Sequence, residues 1–168
     1  EIIFGGEPKV MITDELFLDY SRTGNRTRCQ RVISRRRSRL NALVLAECLE
    51  NRGRFLAEIE KTLLATCDEK TWVLPAHDRG LTNFEGTQIT IDLRSSAVGW
   101  TLATIDYWLA ERLSPSVRER IAKELERRVF TPFELMVTKG KPRMWWLAGT
   151  NNWNSVCLAN VVGAAMAG

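Results

Sequence analysis

The stretch NRTRCQRVISRRRSRLNALVLAECLENRGRFLAEIEKTLLATCD, residues 25–68, decides the fold. Its apolar positions Val32, Ile33, Leu40, Leu43, Val44 and Leu49 recur at spacings of three, four and seven, the mark of an α-helical face. This predicts a long helix over 25–51, with Gly53 as its stop. A second helix begins near Arg54, places Phe55, Leu56, Ile59, Leu63 and Leu64 on one side, and ends near Asp68. Two helices joined by so short a connection pack as antiparallel neighbours. The chain is therefore read as all-α and built from antiparallel helical hairpins.

Upstream, residues 1–11 read as an irregular lead-in broken by Gly5, Gly6 and Pro8. Thr13 is a helix cap, with Asp14 and Glu15 at the positive helix end, and a short helix runs to about Ser21. Residues 1–24 thus form a lead-in and short helix, and 25–168 the helical domain. Downstream, Pro75, Gly80 and Gly86 make 71–91 a long loop, a common home for function.

Asp92 caps a helix ending near Leu113. It is expected to bury Leu93, Val98, Trp100, Leu102, Ile105, Trp108 and Leu109, too wide a set for one face. Ser114-Pro115 opens the next helix, which carries Ile121, Leu125 and Val129. Its charged residues, from Arg118 to Arg128 and including Glu124, read as a solvated face. At Pro132 the helix bends or restarts. A second loop covers 138–150. Residues 152–168, rich in Ala, Val and Gly, predict a central helix, and the apolar finish Ala164-Ala165-Met166-Ala167-Gly168 reads as a cut from a larger chain. No strand pattern and no strict repeat is evident. The hairpins recur at intervals of several tens of residues, which fits a closed or partly closed ring of helix pairs and also an ordinary bundle.

At 168 residues, 45% hydrophobic and 26% charged, the chain has the size and composition of one globular domain. No apolar run approaches the roughly 20 residues of a membrane helix, and residues 1–6 lack the pattern of a signal peptide. The net charge of +4 permits an acidic partner without requiring one. Cys29, Cys48, Cys67 and Cys157 form no CxxC pair, and with His77 as the sole histidine no metal-ligand spacing arises. The cysteines read as small buried apolar side chains.

Three segments stand out chemically. The first is Trp72-Val73-Leu74-Pro75-Ala76-His77-Asp78. Imidazole can hydrogen-bond a hydroxyl or carboxylate, and indole offers a flat apolar face with an N–H at its edge. Asp78 is read as orienting His77. The second is Trp145-Trp146-Leu147-Ala148-Gly149-Thr150-Asn151-Asn152-Trp153-Asn154, three tryptophans and three asparagines within ten residues. The tryptophans can be core and Asn151 or Asn152 a helix cap, yet amides beside aromatics, at a helix start, also suit a sugar bearing a carboxylate. The third is the run Arg22, Arg26, Arg28, Arg31, Arg35, Arg36, Arg37 and Arg39, either a solvated face or a basic wall for a polyanion. Nucleic acid is disfavoured, since no finger, basic zipper or RNP pattern accompanies it.

The order of these pieces resembles the heparinase II/III-like polysaccharide lyases, a group that includes alginate lyases. The likeness spans roughly residues 25–168. It rests on residues 72–78, Ile91-Asp92-Leu93, Arg120-Ile121, Arg127-Arg128-Val129-Phe130 with Pro132, and most specifically Asn151-Asn152-Trp153-Asn154-Ser155-Val156-Cys157. The resemblance implies part of an incomplete α/α toroid, followed in whole enzymes by a β-sandwich. It implies β-elimination on a uronic acid residue of an acidic polysaccharide such as a glycosaminoglycan or alginate, and a secreted or periplasmic location. The reaction needs a donor that neutralises the uronate carboxylate, a base for the adjacent carbon and an acid for the leaving oxygen. The first role carries over to Asn151 or Asn152. Trp72, His77, Trp146, Trp153 and Asn154 are the expected sugar-binding residues. The tyrosine and histidine that move protons come from later sequence in the family, and Tyr20 and Tyr107 do not stand in that context. The chain alone is thus expected to bind acidic polysaccharide without turnover. No metal or other cofactor is expected in it, no membrane is involved, and the missing C-terminal part of the same protein is its expected partner. The rival readings are a non-enzymatic helical binding module using the arginine face, and a glycoside hydrolase using Asp78 and Glu85.

Overall fold

A computed structural model describes residues 11–168, so the expected lead-in lies, up to residue 10, outside the described residues. The chain is all-α: α1 Asp14–Thr23, α2 Thr27–Glu50, α3 Leu56–Cys67, α4 Leu93–Leu109, α5 Pro115–Leu125, α6 Thr131–Lys139 and α7 Asn152–Ala167. Among the described residues there is no strand, and no helix is long and apolar enough to cross a membrane.

Local chemistry explains most helix ends. The Thr13 hydroxyl accepts from the N–H of Leu16 at 3.2 Å, and Gly24, at φ +72°, closes α1. α1 does not stand apart: its buried Phe17 stacks on Phe84 at 4.9 Å. The stop of α2 is Asn51, in the left-handed region at φ +52°, two residues before the expected Gly53. Beyond it the buried Glu47 carboxylate accepts from the N–H groups of Gly53 at 2.7 Å and Phe55 at 2.9 Å, and pairs with Arg112. The Ser114 hydroxyl makes no cap bond. Instead Glu60 of α3 accepts the Ser114 N–H at 2.6 Å, where α5 begins with Pro115. The restart at Pro132 is a π-helical turn, Glu126–Phe130, leading straight into α6.

Side-chain pairs give the helix directions. Between α2 and α3, Glu47 meets Phe55, Arg39 meets Glu58, and Arg36 meets Glu69 just past α3, so the two run antiparallel. Between α4 and α5, Asp106 meets Arg118 and Gly99 faces Leu125 and Val129, again antiparallel. Between α3 and α5, Glu60 meets Ser114 and Asp68 meets Arg120, so these run parallel. Between α4 and α7, Ser96 meets Asn160 and Trp100 covers Gly163, also parallel. Two layers result. α2, α4 and α7 lie parallel in one, α3 and α5 in the other, and from α2 to α5 successive helices alternate between them.

Several burial expectations change. α4, rather than α7, is the hub, touching α2, α5 and α7. Trp100 and Trp108 are exposed rather than buried, and with Leu45, Val162 and Met166 they lie on the α2–α4–α7 layer. The charged face of α5 is not wholly solvated: Glu124 and Arg128 are buried and joined at 2.6 Å. Cys29, Cys67 and Cys157 are buried, and burial pushes the Cys67 and Cys157 thiols up to about 11, but Cys48 is exposed.

Two measurements test this packing. A Cβ on Gly99 would lie 2.8 Å from Val129 Cγ2. Gly99→Ala is therefore expected to destabilise by about 1–3 kcal/mol in urea unfolding, despite alanine's better helix propensity. Equal or greater stability would mean that Val129 gives way freely. The second concerns Glu47. Burial raises its carboxyl, but the Phe55 and Gly53 N–H groups and Arg112 outweigh that and hold it below the ordinary value. A depressed carboxyl contributes stability that is complete above the ordinary glutamate value of about 4.3 and is lost as pH falls through the lowered one. Glu47→Gln should reduce stability at neutral pH and flatten its decline below about pH 5. An unaltered slope would exclude Glu47 as a contributor.

Candidate functional site

Because α4 and α7 run parallel, they begin at the same edge of their layer. The loop 71–91 leads into one and the loop 140–151 into the other, so two segments separated by 48 residues of sequence meet there. Between them lies a cavity of about 480 Å³, walled by His77, Asp78, Arg79, Asp92, Arg143, Trp145, Trp146 and Trp153 among others.

Asp92 organises this edge. Its Oδ1 accepts the Ser95 N–H at 2.7 Å while the Ser95 hydroxyl accepts the Asp92 N–H at 2.8 Å, a reciprocal cap on α4. Its Oδ2 accepts the Leu74 N–H at 2.9 Å and the His77 Nδ1–H at 2.7 Å. A carboxylate acceptor on Nδ1 places the ring proton there and leaves Nε2 as the other functional nitrogen. Asp92, not Asp78, therefore orients His77. Asp78 is buried, and its two oxygens accept from the Asn83 and Phe84 N–H groups and the Asn83 amide, folding the 78–84 turn. That leaves the hydrolase reading without its first acid.

The expected sugar-binding residues divide. Trp153 packs on His77 at 4.5 Å between ring centroids and on Trp145 at 5.0 Å. Trp145 is 56% exposed, so these rings present aromatic surface at the cavity mouth. Trp72 is 1% exposed, bonds the Thr66 carbonyl through its indole N–H at 2.8 Å, and lies beneath the Arg128 guanidinium; it is a core residue. Trp146 is likewise buried, its N–H bonded to the Ile91 carbonyl at 2.8 Å, and supports the cavity wall. Asn154 donates to the carbonyls of Trp146 and Leu147 and so holds the 145–148 turn rather than facing a ligand. Asn151 caps α7, accepting the Trp153 N–H at 3.0 Å. Asn152 is exposed, and its side chain makes no hydrogen bond among the described residues. Both asparagines stand beside the cavity, at the start of α7, rather than in its wall.

Four contributors are not legible in the sequence: Trp145 as a surface ring, Asp92 as the histidine's partner, and the cations Arg79 and Arg143. Both arginines are exposed with no acidic partner among the described residues. No spacing rule singles them out, because they lie 64 positions apart and converge only through the parallel helices. The site thus offers aromatic faces, two free guanidiniums, an oriented imidazole and the positive end of α7, whose first turn holds no acid. Among the described residues no group of three His, Cys, Asp or Glu side chains is placed to hold a metal ion. No family model matches the chain, and none of the curated proteins compared with it is significantly similar.

Asp92→Ala is expected to destabilise by about 2 kcal/mol, through the lost cap and the stranded Leu74 N–H. It should also shift the His77 tautomer ratio seen in imidazole nitrogen shifts. An unchanged ratio would mean another group holds the ring.

Proposed function

We propose that the chain binds an acidic, uronate-bearing polysaccharide across this edge, as the toroid portion of a lyase of the heparinase II/III-like kind. The observation that carries the reading is the convergence of Trp145 and Trp153 with the unpaired Arg79 and Arg143 around one cavity. A pyranose ring stacks on indole through its apolar face, and guanidinium matches a carboxylate in two parallel hydrogen bonds. The neutraliser role stays with Asn151 or Asn152: the cap on α7 engages only the Asn151 Oδ1, and the amide nitrogens of both residues make no hydrogen bond among the described residues. The two-layer order, parallel within a layer and antiparallel between layers, is the unit from which an α/α toroid is assembled, and this supports the architectural part of the reading.

The proton-transfer groups do not follow from this site. Tyr107 lies fifteen residues along α4 from Asp92, about 22 Å away by helical rise, and Tyr20, on α1 beside the 75–77 turn, is not in the cavity wall. The reading therefore implies binding and carboxylate neutralisation by this chain, without elimination.

The second reading, a basic contact face on α2, is favoured by Arg31, Arg35 and Arg37, which are exposed without acidic partners among the described residues. Arg28 and Arg39 are instead paired with Asp19 and Glu58.

Titration with an unsulfated glucuronate-containing tetrasaccharide, followed by indole N–H shifts, separates the two. Trp153→Ala is expected to weaken binding roughly fivefold to tenfold, Asn152→Ala to weaken it as well, and a neutral cello-tetrasaccharide to bind poorly. No unsaturated-uronate absorbance should develop. Binding indifferent to Trp153 and Asn152 but lost in an Arg31→Gln, Arg35→Gln variant would replace the first reading with the second.

A further inference from the structure

A second cavity, of about 300 Å³, lies between α2 and α4 and shares no wall residue with the first. Its wall is largely apolar, including Leu40, Leu93 and Leu102, but three arginines also line it: Arg36, Arg37 and Arg94. Arg94 is 8% exposed. One of its terminal nitrogens donates to Glu69 at 2.7 Å and the other to the Trp72 carbonyl at 3.0 Å, while its Nε has no hydrogen-bond partner. The Arg36 side chain, 12% exposed, pairs with the same Glu69. Arg37 is exposed and has no acidic partner among the described residues.

Two buried guanidiniums thus share one carboxylate, beside a third that has none. Burial, and then the Arg94 charge, hold Arg36 down to about 10, and burial holds Arg94 at about 10. An orphaned donor in a buried cation is costly and rare in folded proteins. With three guanidiniums and one carboxylate the arrangement carries uncompensated positive charge, beside enough apolar surface to hold a hydrocarbon.

We propose that this cavity binds a small amphiphilic carboxylic acid. Its carboxylate meets Arg37 and the guanidinium of Arg36, with the buried charge of Arg94 behind them, and its hydrocarbon lies against Leu40, Leu93 and Leu102. Guanidinium and carboxylate are matched in geometry as well as charge. The apolar wall selects a chain-bearing acid over acetate or a sugar acid.

The test titrates the intact chain with octanoate and, separately, octanol, by calorimetry and thermal unfolding. Octanoate is expected to bind saturably, to raise the melting temperature and to bind at least about tenfold tighter than octanol, as a charge-assisted hydrogen bond requires. Arg37→Gln, at an exposed unpaired position, should reduce that preference, and Arg36→Gln combined with it should remove most of it. Ala97→Phe, filling the cavity from a half-buried helix position, should abolish octanoate binding while the helical circular dichroism is retained. Equal affinity for octanoate and octanol, no saturable octanoate binding, or a preference untouched by the double arginine variant would overturn the proposal. Trp153→Ala should leave octanoate binding intact, whatever it does to the glycan. If it removes octanoate binding too, the second site is not separate and the proposal fails.

Discussion

Two buried arginines hold the end of α3 to the rest of the molecule. Arg128, in the π-helical turn, donates to the carbonyls of Cys67, Glu69 and Lys70 and to Glu124. Arg94, in the first turn of α4, donates to Glu69 and to the carbonyls of Thr71 and Trp72. The Cys67 carbonyl ends α3 and has no partner within the helix, those of residues 69–72 follow it in the loop, and burying any of them unpaired would oppose folding. Guanidinium groups supply several donors in a fixed plane, so one side chain satisfies two or three carbonyls at once. Trp72 completes the arrangement, with its ring under Arg128 and its N–H on the Thr66 carbonyl. Removing one partner of such a pair strands a charge in the interior, a strongly destabilising change.

That anchor sets where the loop 71–91 begins, and Asp92 sets where it ends. Between them the loop is fastened by Asp78 and by Phe17 of α1. His77 is therefore displayed from a loop tied at both ends and in the middle. Close approach of α4 and α7, with Gly163 beneath Trp100 and Asn160 bonded to Ser96, aligns their starting points and brings Trp153 against His77. Aromatic surface, cationic side chains and a helix N-terminus then share one edge, so a carboxylated sugar is the ligand chemistry proposed for it.

Residue type proved an incomplete guide to role. Trp72, Trp146 and Trp153 look alike in sequence, but two carry an indole N–H already bonded to a buried carbonyl, and the third packs on an imidazole at a cavity mouth. Asp78 and Asp92 both flank the histidine loop, and the farther one holds the ring. Glu124 and Arg128 lie in a run of alternating charges that reads as solvated, yet the π-turn and the α3 carbonyls enclose them.

Helices and their ends follow from local chemistry. Apolar spacing, the Thr13 and Asp92 caps, proline at the start of α5 and the break at Pro132 act within a few residues of one another, so the linear order of the chain is enough to read them. The parallel order within each layer, the sorting of tryptophans into core and rim, the partner of His77 and the placing of Arg79 and Arg143 around one cavity depend on contacts between residues tens of positions apart. Such contacts arise only when whole helix faces compete for burial, and no local pattern encodes the outcome of that competition.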